Sequence, residues 1–171
     1  MIESSQLNRD FVDEIAAEPG GEHIRRCFSC GTCTVSCPVR AVTDRYNPRK
    51  IIRMAVLGLR DEVLSSDFIW LCSACYTCHE RCPQDVRITE LINAIKNIAV
   101  RAGHVPPPFR AQVDLLREHG RLIAVGEYDN ERRAELGLPP IHEEPQDVAN
   151  ILEETGIGVL GTGSTAQGGE G

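Results

Sequence analysis

Cysteine placement constrains this chain more than any other feature. Cys27, Cys30, Cys33 and Cys37, followed by Pro38, form a C-x2-C-x2-C-x3-C-P run, and Cys72, Cys75, Cys78 and Cys82, followed by Pro83, repeat it. The two runs use all 8 cysteines of the 171 residues. Three thiolates at such short intervals reach three corners of one iron–sulfur cubane, whereas the fourth, held away by the proline, ligates the neighbouring one. The expectation is two interlocked 4Fe-4S clusters. Cys27, Cys30, Cys33 and Cys82 would hold the first; Cys72, Cys75, Cys78 and Cys37 would hold the second. Such crossing staples the two halves of the sequence together through metal.

Two other uses of cysteine fit less well. A disulfide framework suits a short secreted chain, but Met1 is followed by Ile-Glu-Ser-Ser rather than an apolar signal segment. Structural zinc would occupy two C-x2-C pairs and leave four thiols idle, with no reason for two complete runs each closed by proline. The thiol count instead places the chain in a reducing cytoplasm. No stretch approaches the roughly 18 consecutive apolar residues of a membrane span.

The net charge of -7 is unevenly distributed. Residues 1–22 carry Arg9 against six acids, and residues 127–171 carry two Arg against ten, which leaves the middle, 23–126, at +6. Two oxidised clusters with their thiolates would add roughly -4, offset by this basic middle. Arg40, Arg45, Arg49, Lys50, Arg53 and Arg60 are opposed within their span by Asp44 alone. They read either as charge compensation and docking of an acidic partner or as a solvated helix face. An acidic chain without basic runs interleaved with aromatics is a poor nucleic-acid binder.

Periodicity predicts helices. Leu7, Phe11 and Ile15 share one face of a short opening helix ending near Ala17, before Pro19-Gly20-Gly21. His23 follows as a solvated loop residue. Asn47 and Pro48 supply an N-cap and first position for a helix whose apolar face is Ile51, Ile52, Ala55, Val56 and Leu59, with Gly58 near its end. Phe68 to Leu71 would shield a cluster from water, one lever on its potential. The clearest helix runs from about Ile88 to Arg101, with Thr89 as its cap, Gly103 as its stop, and Leu91, Ile92, Ile95 and Ile98 as the stripe packed across the clusters. Pro106 to Pro108 precede another helix to about Glu118, carrying Phe109, Val113 and Leu116 on one side.

Beyond residue 126 the reading is an acidic arm: a turn of helix around Glu131 to Leu136, a helix from Pro145 to Thr155, then a flexible tail with seven glycines in the last 16 residues. The division is thus an acidic N-terminal helix or arm (1–22), an all-α, ferredoxin-like dicluster domain (23–126) and a C-terminal arm (127–171). The cysteine runs repeat at an offset of 45 residues, with Thr32 and Thr77 also matching, as in a duplicated cluster-binding unit.

These two runs, the Asn47-Pro48-Arg49 helix start and the stretch from Trp70 to Cys78 resemble the C-type subunit of heterodisulfide reductase across roughly residues 7–155. The resemblance implies a non-catalytic subunit of a larger oxidoreductase complex. It would relay single electrons through two 4Fe-4S clusters between a flavin-containing A-type subunit and a B-type subunit with CCG motifs. In methanogens the B-type subunit reduces the disulfide of coenzyme M and coenzyme B. This sequence has no Cys-Cys-Gly triplet and no G-x-G-x-x-G fingerprint, so flavin binding and substrate chemistry belong to partners. The same cysteine spacing occurs in the iron–sulfur proteins of fumarate reductase, glycolate oxidase and glycerol-3-phosphate dehydrogenase, and a relay subunit of that type is the alternative. From another functional class comes a structural adaptor, in which clusters merely hold the fold and the acidic arm recruits partners. An autonomous enzyme lacks an open metal position or an acid–base pair.

Overall fold

Proline, glycine and short apolar stripes divide this chain into many brief helices. A computed structural model describes residues 7–142 and 145–160, and among these residues there is no β-strand. The chain separates into two compact units, with the division between His104 and Val105.

The first unit begins with α1 (Phe11–Ala16), whose Phe11 and Ile15 are fully buried. The cysteine-bearing part follows: α2 (Thr32–Val35), α3 (Pro38–Val42), α4 (Pro48–Val56), α5 (Arg60–Leu64), α6 (Thr77–Glu80) and α7 (Ile88–Arg101). The start of α4 follows the expected chemistry. Asn47 Oδ1 accepts the Lys50 backbone N–H at 3.0 Å, and Pro48 occupies the first turn, where no amide hydrogen is needed. The Thr34 hydroxyl donates to the same Asn47 Oδ1 at 2.9 Å, which ties α4 to α2.

Of the apolar residues assigned to α4, Ile51, Ile52 and Ala55 are buried and Leu59 closes against the core, but Val56 is 42% exposed. At 3.6 residues per turn Val56 has rotated onto the solvent side. Gly58 ends the helix with φ +81°, and a Cβ there would stand 2.4 Å from the Asn8 carbonyl oxygen. Only glycine permits both the left-handed turn and this close backbone approach.

The long α7 is the floor of the unit: Leu91, Ile92, Ala94, Ile95, Ile98 and Ala99 are all buried, and α1, α5 and α6 pack on it. Burying each Ile or Leu contributes roughly 1.5–3 kcal/mol. Cys33, Cys37 and Cys78 belong to this same core, so thiols and aliphatic side chains are packed as one body. A paired Arg60–Glu14 contact, 2.7 and 2.9 Å, links α5 to α1, with the guanidinium also over the Phe11 ring.

The second unit contains α8 (Pro107–His119), α9 (Glu127–Glu135) and α10 (Pro145–Glu154), with α8 and α10 packed together. The α8 segment, grouped by sequence with the cysteine-bearing stretch, falls in this unit. Its prolines begin the helix, since Pro106 is the N-cap and Pro107 the first helical residue. Among the described residues of the unit, the buried apolar side chains are Val113 and Leu152. Residues 1–6, at the start of the expected opening helix, and residues 161–171, which hold most of the glycine-rich tail, lie outside the described residues. No helix among the described residues is long and apolar enough to cross a membrane.

Candidate metal centre

The two cysteine loops repeat their backbone geometry at the 45-residue offset. Ser29 and Gly31 flank Cys30 at φ 61° and 89°; Ala74 and Tyr76 flank Cys75 at 51° and 60°. Left-handed residues on either side of a cysteine fold the loop back on itself, the conformation that turns successive backbone amides toward one concave face. After each loop a one-turn helix begins, α2 in the first half and α6 in the second, and these two helices pack together.

Packing brings Cys27, Cys30, Cys33 and Cys82 around one recess, completed by Phe28, Pro83, Val86 and Ile88. Cys78 has Cys72, Cys37 and Cys75 as its electrostatic neighbours. Each group therefore combines three thiols of one run with the fourth of the other. The groups adjoin where α2 packs on α6: Cys33 and Cys78, one from each helix, are buried in the same core.

Threonine hydroxyls accompany four of the sulfurs. Cys30 lies 3.4 Å from Thr32 Oγ1, Cys75 3.5 Å from Thr77 Oγ1, Cys33 4.0 Å from Thr34 Oγ1 and Cys78 3.6 Å from Thr89 Oγ1. Against a thiolate the hydroxyl is the donor. The hydroxyls of Thr32 and Thr77 are the main reason that the exposed Cys30 and Cys75 thiols sit below the ordinary thiol range. Burial dominates at the inner pair, pushing Cys33 up to about 11 and raising Cys78, with Thr34 and Thr89 opposing it. The Val86 amide donates to Cys82 Sγ at 3.4 Å.

Several of these residues carry no signal in sequence periodicity. Thr89, expected as a helix cap, is 1% exposed and faces Cys78; the N-cap of α7 is Arg87, with no side-chain cap bond. Tyr46 is 2% exposed. Its phenol is held well above the usual range, first by burial and then by a hydrogen bond with Cys72. Lys96 lies over the Trp70 ring at 5.8 Å, its pKa lowered by burial while Cys72 pulls the other way. Phe68, Trp70 and Leu71 pack partly against the core, and Ile69 is fully buried, in keeping with the expected apolar wall. His23 is anchored rather than free in a loop: its Nδ1 is 3.0 Å from the Asp85 carbonyl oxygen, joining the approach to the first run to the exit from the second.

The donor set fits iron–sulfur clusters. Two groups of soft sulfur donors meet in a largely apolar core, with threonine hydroxyls and the Val86 amide within hydrogen-bond distance of the sulfurs. Sheetless helical packing and two adjoining C-x2-C-x2-C-x3-C-P loops define an all-helical ferredoxin-like protein of the dicluster class. The family model for the 4Fe-4S dicluster domain matches residues 23–86.

Similarity extends beyond that domain. The chain is 38% identical to a C-type iron–sulfur subunit, numbered 2, of the CoB–CoM heterodisulfide reductase of Methanocaldococcus jannaschii, over 90% of this chain and 86% of the relative. It is 42% identical to the C-type subunit of ferredoxin:CoB-CoM heterodisulfide reductase of Methanosarcina mazei, over 78% of this chain and 82% of the relative. Identity is 35% with the C-type subunit of H(2):CoB-CoM heterodisulfide,ferredoxin reductase of Methanothermobacter thermautotrophicus, over 94% and 89%. The chain belongs to the family of heterodisulfide reductase C-type subunits, the iron–sulfur subunits of an oxidoreductase.

Proposed function

We propose that this chain is the electron relay of a heterodisulfide-reductase-type complex and is not catalytic alone. Cys27, Cys30, Cys33 and Cys82 hold one 4Fe-4S cluster, and Cys72, Cys75, Cys78 and Cys37 hold the other. The observation that carries this reading is the junction of the two thiol groups at Cys33 and Cys78 inside one apolar core. A bound 4Fe-4S cluster supplies one-electron storage at a potential set by charge, sulfur hydrogen bonds and solvent access.

The surrounding residues adjust those three quantities. Thr32, Thr34, Thr77 and Thr89 offer hydroxyls to the sulfurs, while Tyr46 and Lys96 place a buried donor and a half-buried cation beside Cys72. Ile69 and Trp70 limit water on that side. Cys30 and Cys75 are exposed, giving each sulfur group an edge that partners can approach.

In this assignment single electrons pass between the A-type flavoprotein subunit and the B-type CCG subunit, at which a disulfide is reduced. Two single electrons and two protons reduce one disulfide to two thiols, that of coenzyme M and coenzyme B in methanogens. Anaerobic analysis is expected to find about eight iron and eight sulfide per chain, with spin-coupled EPR signals after dithionite reduction and reoxidation by the B-type subunit. Zinc without acid-labile sulfide, or clusters that exchange no electrons with either partner, would overturn the relay.

A further inference from the structure

The basic run between the cysteine loops divides once its partners are identified. Arg40 pairs with Asp44, Arg45 with Asp67, and Arg60 with Glu14. Arg49, Lys50 and Arg53 have no acidic partner among the described residues, and all three are exposed. They lie on the outer side of α4, opposite its buried Ile51, Ile52 and Ala55. Together with Ser29 and Met54 they line one open groove. Arg9 and Arg81 also have no acidic partner among the described residues, but neither lines this groove.

Ser29 and Arg49 line the recess of the first thiol group as well, so groove and recess share a wall. On that wall Cys30 is exposed, and Phe28, which also lines the recess, is 60% exposed. Residues 1–104 contain equal numbers of basic and acidic side chains. The side chains of this unit therefore carry no overall charge, and Arg49, Lys50 and Arg53 gather three unpaired positive charges where a sulfur-lined site opens to solvent. Positive grooves with little opposing charge attract acidic faces over distance and orient them on arrival.

We infer that the Arg49–Lys50–Arg53 groove docks the carboxylate-rich face of the redox partner that exchanges electrons at the first thiol group. This deepens the relay reading and rests on it. Exposed Phe28 supplies an apolar contact at the sulfur edge, while the cations fix orientation. Interfaces of this kind are small, form quickly and weaken with salt.

Chemical cross-linking reads this surface cleanly, because the sequence has two lysines, Lys50 and Lys96, and the latter is half-buried over Trp70. The cluster-loaded chain is mixed anaerobically at low salt with the purified flavoprotein subunit or the purified CCG subunit. Carbodiimide then joins carboxylates to neighbouring amines. Mass spectrometry is expected to find Lys50 joined to an Asp or Glu of one partner. The double variant Lys50→Glu and Arg53→Glu is expected to keep both EPR signals, to bind that partner at least about tenfold more weakly, and to show a flatter salt dependence.

Unchanged affinity and salt slope in the double variant would overturn the inference. So would a Lys50 link to the acidic second unit of this same chain, or no complex with either partner at low salt. The relay reading fails on a different result: no clusters, or no electron exchange by the wild-type chain. A variant that binds and transfers normally removes the docking groove and leaves the relay standing.

Discussion

The two cysteine loops share a backbone plan but differ in what surrounds them. Both have left-handed residues on either side of the central cysteine and a threonine two positions after it. Around the first loop the nearby cation is exposed Arg49, which acts on exposed Cys30. Around the second, Tyr46 and Lys96 act on Cys72 from buried and half-buried positions. Duplicated geometry places the proposed ligands, whereas the diverged neighbours set the electrostatics. A buried donor or cation acts through a lower effective dielectric than an exposed one, so the second site is the more strongly tuned.

The largest expected effect tests what the loops share. In the proposed assignment, stripping iron would remove the partners of Cys33, Cys37 and Cys78 inside the core, and metal binding of this type is coupled to folding by on the order of 10 kcal/mol. Circular dichroism and hydrogen exchange should show both loops losing protection together. Protection retained in one loop alone would break their equivalence.

Tyr46→Phe tests the difference. It removes a donor to Cys72, so the added electron is less stabilised and the second potential falls. A change of about 60 mV, the one-electron equivalent of ~1.4 kcal/mol, is expected with the first potential unmoved. Equal movement of both in an EPR-monitored redox titration would show that the environments are not separate.

Backbone strain gives the next comparison. At Gly31 a Cβ would meet nothing closer than Arg49 Cδ at 3.7 Å, an ordinary contact, so Gly31→Ala costs about 1 kcal/mol through its positive φ alone. Tyr76, at φ 60°, already carries that cost. Tyr76→Gly relieves that strain but gives up a half-buried ring beside His79 and frees the unfolded chain, so it is expected to lower stability by about 1 kcal/mol despite the relieved φ. Denaturant titration of the cluster-loaded variants checks both losses. The smallest effects should be the most alike: Thr32→Val and Thr77→Val each remove one long hydroxyl–sulfur contact and should lower their own site's potential by about 20 mV.

Much of the fold is legible in sequence because it depends on local chemistry. Cysteine spacing, the Asn47–Pro48 start of α4 and the aliphatic stripe of α7 all state their roles within a few residues. Tyr46, Thr89 and Lys96 do not, since their relation to the sulfurs exists only after α7 and the segment before α4 pack around the loops. Threonine commonly caps helices, which is how Thr89 reads in sequence, yet burial against Cys78 decides its place. A recurring threonine near the cysteines points to Thr32 and Thr77 but not to Thr89, which lies outside the runs. The unpaired groove cations likewise emerge only when the partners of Arg40, Arg45 and Arg60 are known.

The crossing of the two runs is most directly tested by EPR of four reduced single variants. Cys82→Ala is predicted to lose the same cluster signal as Cys30→Ala, and Cys37→Ala the same signal as Cys75→Ala. If Cys37→Ala instead shared its loss with Cys30→Ala, each run would hold its own cluster and the interlocked arrangement would be wrong.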